Sequence, residues 1–406
     1  MTQPAVSAPR LFLAFACAYF LSALLRAVTA TLAPVFSAEL HLQAADLGLL
    51  AGAYFFGFAA MQLPLGKALD HFGPRRTLVA LTAVAVLGCA GFALATSLGA
   101  LIVARAFVGV GMSAALMAPL TAYRQHFSPA LQLRANSWML MTGSLGMVAS
   151  TLPVQLLLPV LGWRGLFWAL AAALALALAL VWWQVPGDAK ADASAQDVGG
   201  GYREIVGHPL FIRTAPMGFV VYGGLIAVQS LWAGPWLTRV SGWSPQEAAQ
   251  GLFGINLCML LAFGAWGALM PRLAAKGVSA MSLVAWGVPA SLLVLAGIVA
   301  AGGRAGAAAW ALWCVCCTFV ALSQPAVAVV FPASQAGRAL SAFNLVIFGG
   351  IFCIQWGLGL LVDLLRARGL ADGAAFRGAF GTFALCCVAS YLWFLFYGRR
   401  AVDNAR

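Results

Sequence analysis

The sequence predicts an all-α polytopic membrane protein of twelve spanning helices, and three observations carry that expectation. Of 406 residues, 63% are apolar and only 8% charged, whereas a soluble domain carries about 25% charged residues. The apolar residues gather into runs of roughly twenty, the length an α-helix needs to cross a hydrocarbon core about 30 Å thick. Short stretches rich in Gly, Pro or charge separate the runs, which forces neighbouring helices antiparallel. The runs fall near 11–33, 46–65, 76–96, 99–121, 136–158, 165–185, 212–235, 249–270, 279–301, 307–330, 339–362 and 377–398. Arg10 and the apolar run from Leu11 to Leu25 have the outline of a signal peptide. The run continues past Arg26 to Ala33 without a clean cleavage site, so it reads as the first span.

The net charge of +12 does not point to nucleic acid. The basic residues are scattered singly between apolar runs, with no dense patch and no interleaved stacking surface. They read as loop charges that orient a membrane protein. One side holds Arg164, Arg239, Arg304, Arg366, Arg368 and Arg377, and most of the others fall on the side that holds both termini. By the positive-inside rule both termini are expected in the cytoplasm, in a bacterial-type inner membrane. Cys314, Cys316, Cys317, Cys386 and Cys387 lie inside apolar runs without His partners and read as small packing residues. Met112, Met117, Met139, Met141 and Met147 read the same way, so no metal and no cofactor is expected. Gly109-Val110-Gly111 lies inside a span with no strand before it, and is not a nucleotide loop. Nothing suggests a nucleotide-hydrolysing or covalent enzyme.

Between Pro186 and His208 the chain carries Asp188, Lys190, Asp192, Asp197 and the run Gly199-Gly200-Gly201, and reads as a flexible polar linker. The expected organisation is a six-helix bundle over 1–186, a linker over 187–207 and a second bundle over 208–406. The halves repeat. Tyr19 and Arg26 correspond to Tyr222 and Gln229, Gly66 to Gly267, and Arg134-Ala135-Asn136-Ser137 to Arg338-Ala339-Leu340-Ser341. Paired repeats around a midplane site are a transporter architecture.

The turn after the second span reads Gly66-Lys67-Ala68-Leu69-Asp70-His71-Phe72-Gly73-Pro74-Arg75-Arg76. This resembles the signature between the second and third helices of the major facilitator superfamily, with His71 standing where the family carries a basic residue after the acid. The counterpart from Gly267 to Lys276 lacks the acid. Arg105, Gly109 and Gly111 are similar to the family's Arg-x-x-x-Gly-x-Gly element. The Gly-Pro pattern of proton-driven drug antiporters is missing, as is the Gly-rich signature of nitrate transporters. The resemblance implies the family fold, two pseudo-symmetric six-helix bundles, and a carrier in which they rock around a central cavity. On physical grounds Gly66 allows close helix approach and Asp70 can sit against the positive N-terminus of a neighbouring helix. Arg75 and Arg76 can pair with Asp70 and with lipid phosphates. Gly66, Asp70, Gly73, Arg75 and Arg76 are thus expected to form a gating latch.

Arg26 lies deep in the first span, where an arginine costs about 2.5–3.5 kcal/mol on insertion scales. Tyr19, Ser22 and Thr29 share its helical face. No Asp, Glu, Lys or His lies deep in any span, so Arg26 and Arg105 lack a deep counter-charge. Water, helix carbonyls and hydroxyls, or an anionic substrate must solvate them. The matching stripe in the seventh span is Tyr222, Gln229, Trp232 and Trp236, and Tyr54, Asn256, Gln324, Asn344 and Gln355 add polar groups at cavity depth. The expected substrate site is Tyr19, Arg26, Tyr54, Arg105, Tyr222, Gln229, Trp232, Asn256, Gln324 and Asn344. The expected function is secondary transport of a small organic anion by a monomer among membrane lipids. The competing expectations are a drug or metabolite efflux carrier and a non-transporting sensor or assembly factor.

Overall fold

A computed structural model describes residues 7–187 and 202–403. Helices and their connecting turns account for the described residues, with no strand among them. α1 is Ala8–Glu39. α2 covers residues 44–72 with a turn at Met61, and α3 covers 74–94. The two form one continuous helical run that breaks at Gly73, whose φ of 80° only glycine adopts cheaply. α4 is Leu98–His126, loosened into turn geometry over 113–116. α5 (129–161) and α6 (163–184) are divided in the same way at Gly162, φ 63°. α7 is Pro209–Val240, α8 Pro245–Ala275, α9 Ala280–Ala301, α10 Ala307–Val329, α11 Ala333–Ala367 and α12 Asp372–Asp403. The twelve predicted runs are therefore twelve helices, most extending several residues beyond the apolar stretch that announced them.

The helix starts are capped by side chains that the turns supply. The Ser97 hydroxyl accepts from the Ala100 amide at 3.3 Å, and the Ser279 hydroxyl from the Ser282 amide at 3.1 Å. Gln43 with Asp46, and Ser244 with Glu247, form reciprocal capping pairs. Each cap satisfies amides that lack a carbonyl inside their own helix. The expected linker over 187–207 departs from expectation at its end. Residues 188–201 lie outside the described residues, but Tyr202–Gly207 is a short helix with Ile205 buried. The alternation of Tyr202, Ile205 and the charges around them gives that segment an apolar side.

The face where α1 begins and α12 ends is called the terminal face here, and the opposite one the far face. Within the first half, glycines let helices touch backbone to backbone. A Cβ at Gly109 would run into the Tyr54 carbonyl, and one at Gly57 into the Ala106 carbonyl, so α2 and α4 cannot separate by a side chain's width. Gly143 and Gly146 seat α5 on α1 against the Tyr19 ring and the Phe20 carbonyl. Toward the far face the halves touch backbone to backbone. There α2 packs on α11 through Gly48 against the Gln355 carbonyl, Gly52 against Phe352, and Gly359 against the Ala44 carbonyl. α1 meets α7 at Ala30 and Gly234. Without a hydrophobic driving force between helices in lipid, such close approach is what holds helices together. Gly66 is a correction to the sequence reading: a Cβ there would meet nothing, because the contacts of this α2 end are made by its other face, where Gln62, Leu65 and Leu69 are buried.

Gly109→Val should therefore cost at least about 1–3 kcal/mol from overpacking, read as a lower thermal midpoint in detergent. Gly66→Ala should leave the midpoint unchanged or raise it.

Candidate functional site

α1 carries Arg26 on the same side as Ser22 and Thr29, which are themselves buried. The residue is half-buried, its Nε is buried without a partner, and it makes no hydrogen bond or ion pair with any described residue. The tyrosines around it come from three helices and both halves. Tyr54 of α2 and Tyr222 of α7 each interact electrostatically with Arg26, and Tyr19 of α1 with both. Tyr54 is fully buried, and its hydroxyl lies 3.4 Å from both the hydroxyl and the carbonyl of Ser22. Tyr19 and Tyr222 are half-buried, with no hydrogen bond to a described residue. Arg26 and the three tyrosines thus form one electrostatic cluster that spans α1, α2 and α7 and so bridges the two halves.

Arg105 sits beside this cluster but is not open to it. It is 1% exposed. One terminal nitrogen donates to the Leu25 carbonyl at 2.7 Å and to the Thr29 hydroxyl at 2.7 Å. Its guanidinium carbon lies 5.2 Å from the centre of the Tyr54 ring. Leu25 and Thr29 flank Arg26 in the chain, so α4 clamps the turn of α1 that presents Arg26. Nε and Nη1 of Arg105 remain buried without partners. The Arg-x-x-x-Gly-x-Gly spacing has a physical reason: Gly109 brings α4 onto the Tyr54 backbone, which delivers Arg105 to both α1 and the Tyr54 ring.

The second half contributes amides. Gln229 donates to the Asn256 side-chain carbonyl at 2.8 Å, tying α7 to α8, and Asn256 donates to the Leu252 carbonyl at 2.9 Å. α1 and α7 run parallel, and the Ala30–Gly234 contact sets a register that puts Gln229 level with Arg26. Gln324 and Asn344 bond to each other in a separate pair on α10 and α11, nearer the terminal face. Trp232 is fully buried. Its indole donates to the Gln355 carbonyl at 3.1 Å, and its ring meets Phe376 edge-on at 6.0 Å. Trp236 likewise bonds the Ala305 carbonyl and packs on Trp310 and Phe380. The predicted α7 stripe assumed 3.6 residues per turn. The helix instead widens to π geometry at Gly218–Tyr222, Val228–Trp232 and Trp236–Val240, which turns both tryptophans into the second half's interior. Sequence reasoning missed these π-turns, and also Ser230, which accepts from Gln355 at 3.0 Å.

The residues expected to form a latch are disposed differently from the expectation. Gly73 makes the turn, and the Thr77 hydroxyl fastens it by donating to the Ala68 carbonyl at 3.0 Å. Arg75 does not bond Asp70; it donates to the Trp182 carbonyl and lies 4.4 Å over the Trp182 ring. Asp70 is exposed, with no hydrogen bond or ion pair to a described residue. Arg76 is exposed at the same turn. A separate crevice of about 560 Å³ opens at the far face beside Thr31, Pro34, Glu39, Gln155 and Pro245. Glu39 there is already paired with Arg164 and the Trp163 indole, both at 2.6 Å. No cluster of His, Cys, Asp or Glu that could hold a metal occurs among the described residues.

The Arg105 clamp yields a test. Thr29→Val removes one of two acceptors of a buried cation and should cost about 1.5–3 kcal/mol, seen as a lower thermal midpoint. Arg105→Lys should cost more, because an ammonium, even if it reached both acceptors, has no planar guanidinium to lie beside the Tyr54 ring.

The chain is similar to known transporters at three levels. The Major Facilitator Superfamily profile matches residues 15–352. A probable sulfoacetate transporter of Cupriavidus necator is 27% identical over 154 residues, 38% of this chain and 36% of that protein. The matched part thus spans little more than a third of that relative's length. A bacterial homologue of the human lysosomal transporter Spinster, solved inward-facing and unoccupied, superposes with a TM-score of 0.77 at 17% identity, covering 98% of this chain and 99% of that one. A D-xylose–proton symporter superposes with a TM-score of 0.76 at 16% identity over 95% of this chain and 96% of that one. The nucleoside transporter NupG gives a TM-score of 0.69 at 13% identity over 95% of this chain and 98% of that one. With its fold, its paired halves and a profile match over most of its length, this chain belongs to the major facilitator superfamily of small-solute transporters.

Proposed function

We propose that this transporter moves a small organic anion by alternating access, with Arg26 as the group that fixes the anion. The carrying observation is a half-buried guanidinium in the middle of the membrane that has no partner among the described residues. Holding a cation there is costly, and the cost falls when an anion arrives. A carboxylate or sulfonate accepts two parallel N–H bonds from a guanidinium, a geometry a neutral solute does not match. Tyr19 and Tyr222 add hydroxyl donors beside it, and the Gln229–Asn256 pair offers amides to the remainder of the solute. Arg105 serves as a positioning residue behind Arg26, since its own surface is closed off. The relative named for sulfoacetate supports an anion carrying a sulfonate or a carboxylate.

The halves touch backbone to backbone toward the far face, at Gly48, Gly359 and Gly234, which supports a conformation accessible from the terminal face. With the terminal face assigned to the cytoplasm of an inner membrane by the charge rule, the site would be loaded or emptied from the cytoplasm in this conformation. The bundles that rock are 1–186 and 208–406. Among the described residues no carboxylate or histidine adjoins Arg26 to carry a proton. Flux would run as exchange, as facilitated diffusion, or as symport in which the substrate site itself takes the proton. A pH-sensitive dye inside proteoliposomes separates these modes.

A thermal-shift screen of the purified protein against small carboxylates and sulfonates should find stabilising anions. Arg26→Ala should express normally, lose that shift and cut uptake of the same anion by at least about tenfold, the loss expected for a charge-assisted contact of about 1.5 kcal/mol or more. Unchanged uptake in Arg26→Ala would refute the assignment.

A further inference from the structure

The far-face seam carries a carboxylate that the substrate reading leaves unused. Asp363, in the last turns of α11, reaches across the boundary between the halves. Its Oδ1 accepts from the Ala44 amide at 3.2 Å and its Oδ2 from the Ala45 amide at 2.7 Å. These are first-turn amides of α2, which have no carbonyl within their own helix and stand at the positive end of its dipole. On its own side Asp363 is held by Arg366 at 3.2 Å. The Nε of Arg366 lies 2.8 Å from the carboxylate of Asp372 at the start of α12, and Arg239 at the end of α7 lies 3.7 Å from the same carboxylate. The acidic tooth is therefore built inside one half and its socket inside the other. Parting the two breaks no contact within either half.

The helices it joins are already in backbone contact through Gly48, Gly52 and Gly359. Opening the far face requires this seam to part. At the other end of the same helix pair the arrangement inverts. Asp70 lies at the terminal-face end of α2, exposed and with no partner among the described residues, and α11 begins on that face at Ala333. Each of α2 and α11 thus carries an aspartate at its C-terminal end and offers first-turn amides at its N-terminal end. In this conformation one of those aspartates is engaged and the other is idle.

We infer that Asp363 is the far-face latch of the transport cycle, holding α2 to α11 while the terminal face is open, in opposition to Asp70. This rests on the alternating-access reading above. The test is hydrogen–deuterium exchange on the full chain in lipid nanodiscs, comparing the wild type with Asp363→Ala, Asp363→Asn and Asp70→Asn. A latch predicts faster exchange in both Asp363 variants, by about tenfold, at Ala44 and Ala45. It also predicts faster exchange on the seam remote from it, in the α1 and α7 segments around Ala30 and Gly234. Asp70→Asn should move the same remote segments the opposite way. Acceleration confined to the first turn of α2 would show a local cap and overturn the latch, as would no acceleration at all. The isosteric Asn variant keeps the test alive if the alanine variant fails to fold. No substrate is needed. A seam that opens in a protein with no anion flux would sink the functional reading and leave the latch, and anion flux with an unmoved seam would do the reverse.

Discussion

Everything around the central site depends on how a buried arginine is satisfied in a membrane without a carboxylate. Arg105 answers with a main-chain carbonyl, a hydroxyl and the face of a tyrosine ring, all recruited from α1 and α2. That solution needs α4 pressed onto the α2 backbone, which is why Gly57 and Gly109 are glycines. It also needs α1 held at one rotation, because Leu25 and Thr29 must face α4. Arg26, between them in the chain, stays half-buried and without a hydrogen bond to a described residue. One cation is enclosed by partners from α1 and α2, and the other is not.

The twelve spans were legible because bilayer thickness imposes a length on every apolar run, and the turn glycines at 73 and 162 mark where a continuous helical stretch must fold back. The depth of Arg26 and its neighbour Tyr19 followed from helical spacing in α1, which stays regular through that region. α7 was misread for the complementary reason. Three widened turns change its residues per turn, so Trp232 and Trp236, placed on a cavity stripe by 3.6-residue arithmetic, pack into the interior instead. No local composition announces a π-turn. The role of Asp363 is not legible in the sequence, because the amides it caps are more than 300 positions away. Contacts between halves have no periodicity to betray them.

The internal duplication is not a duplication of roles. At matched positions one half carries Arg26 and the other Gln229, and Gln229 is already bonded to Asn256. Close packing follows the same division. Glycines bring α2, α3 and α4 together in the first half, while the second half fills its far-face region with Trp236, Trp310, Trp313 and Phe380 stacked edge to face. The first half is a tight frame around a charge, and the second a broad aromatic block with neutral amides at its edge.

The widened turns of α7 bear on more than side-chain bearings. Each π-turn holds one residue beyond what an α-helix of the same rise needs. If one relaxed, every residue beyond it would rotate by about 100° relative to those before it. Tyr222 ends the first of these turns, Gln229 lies inside the second and Trp236 begins the third. α7 therefore stores slack along its length, and relaxing one such turn would re-aim the side chains beyond it without bending or unwinding the helix.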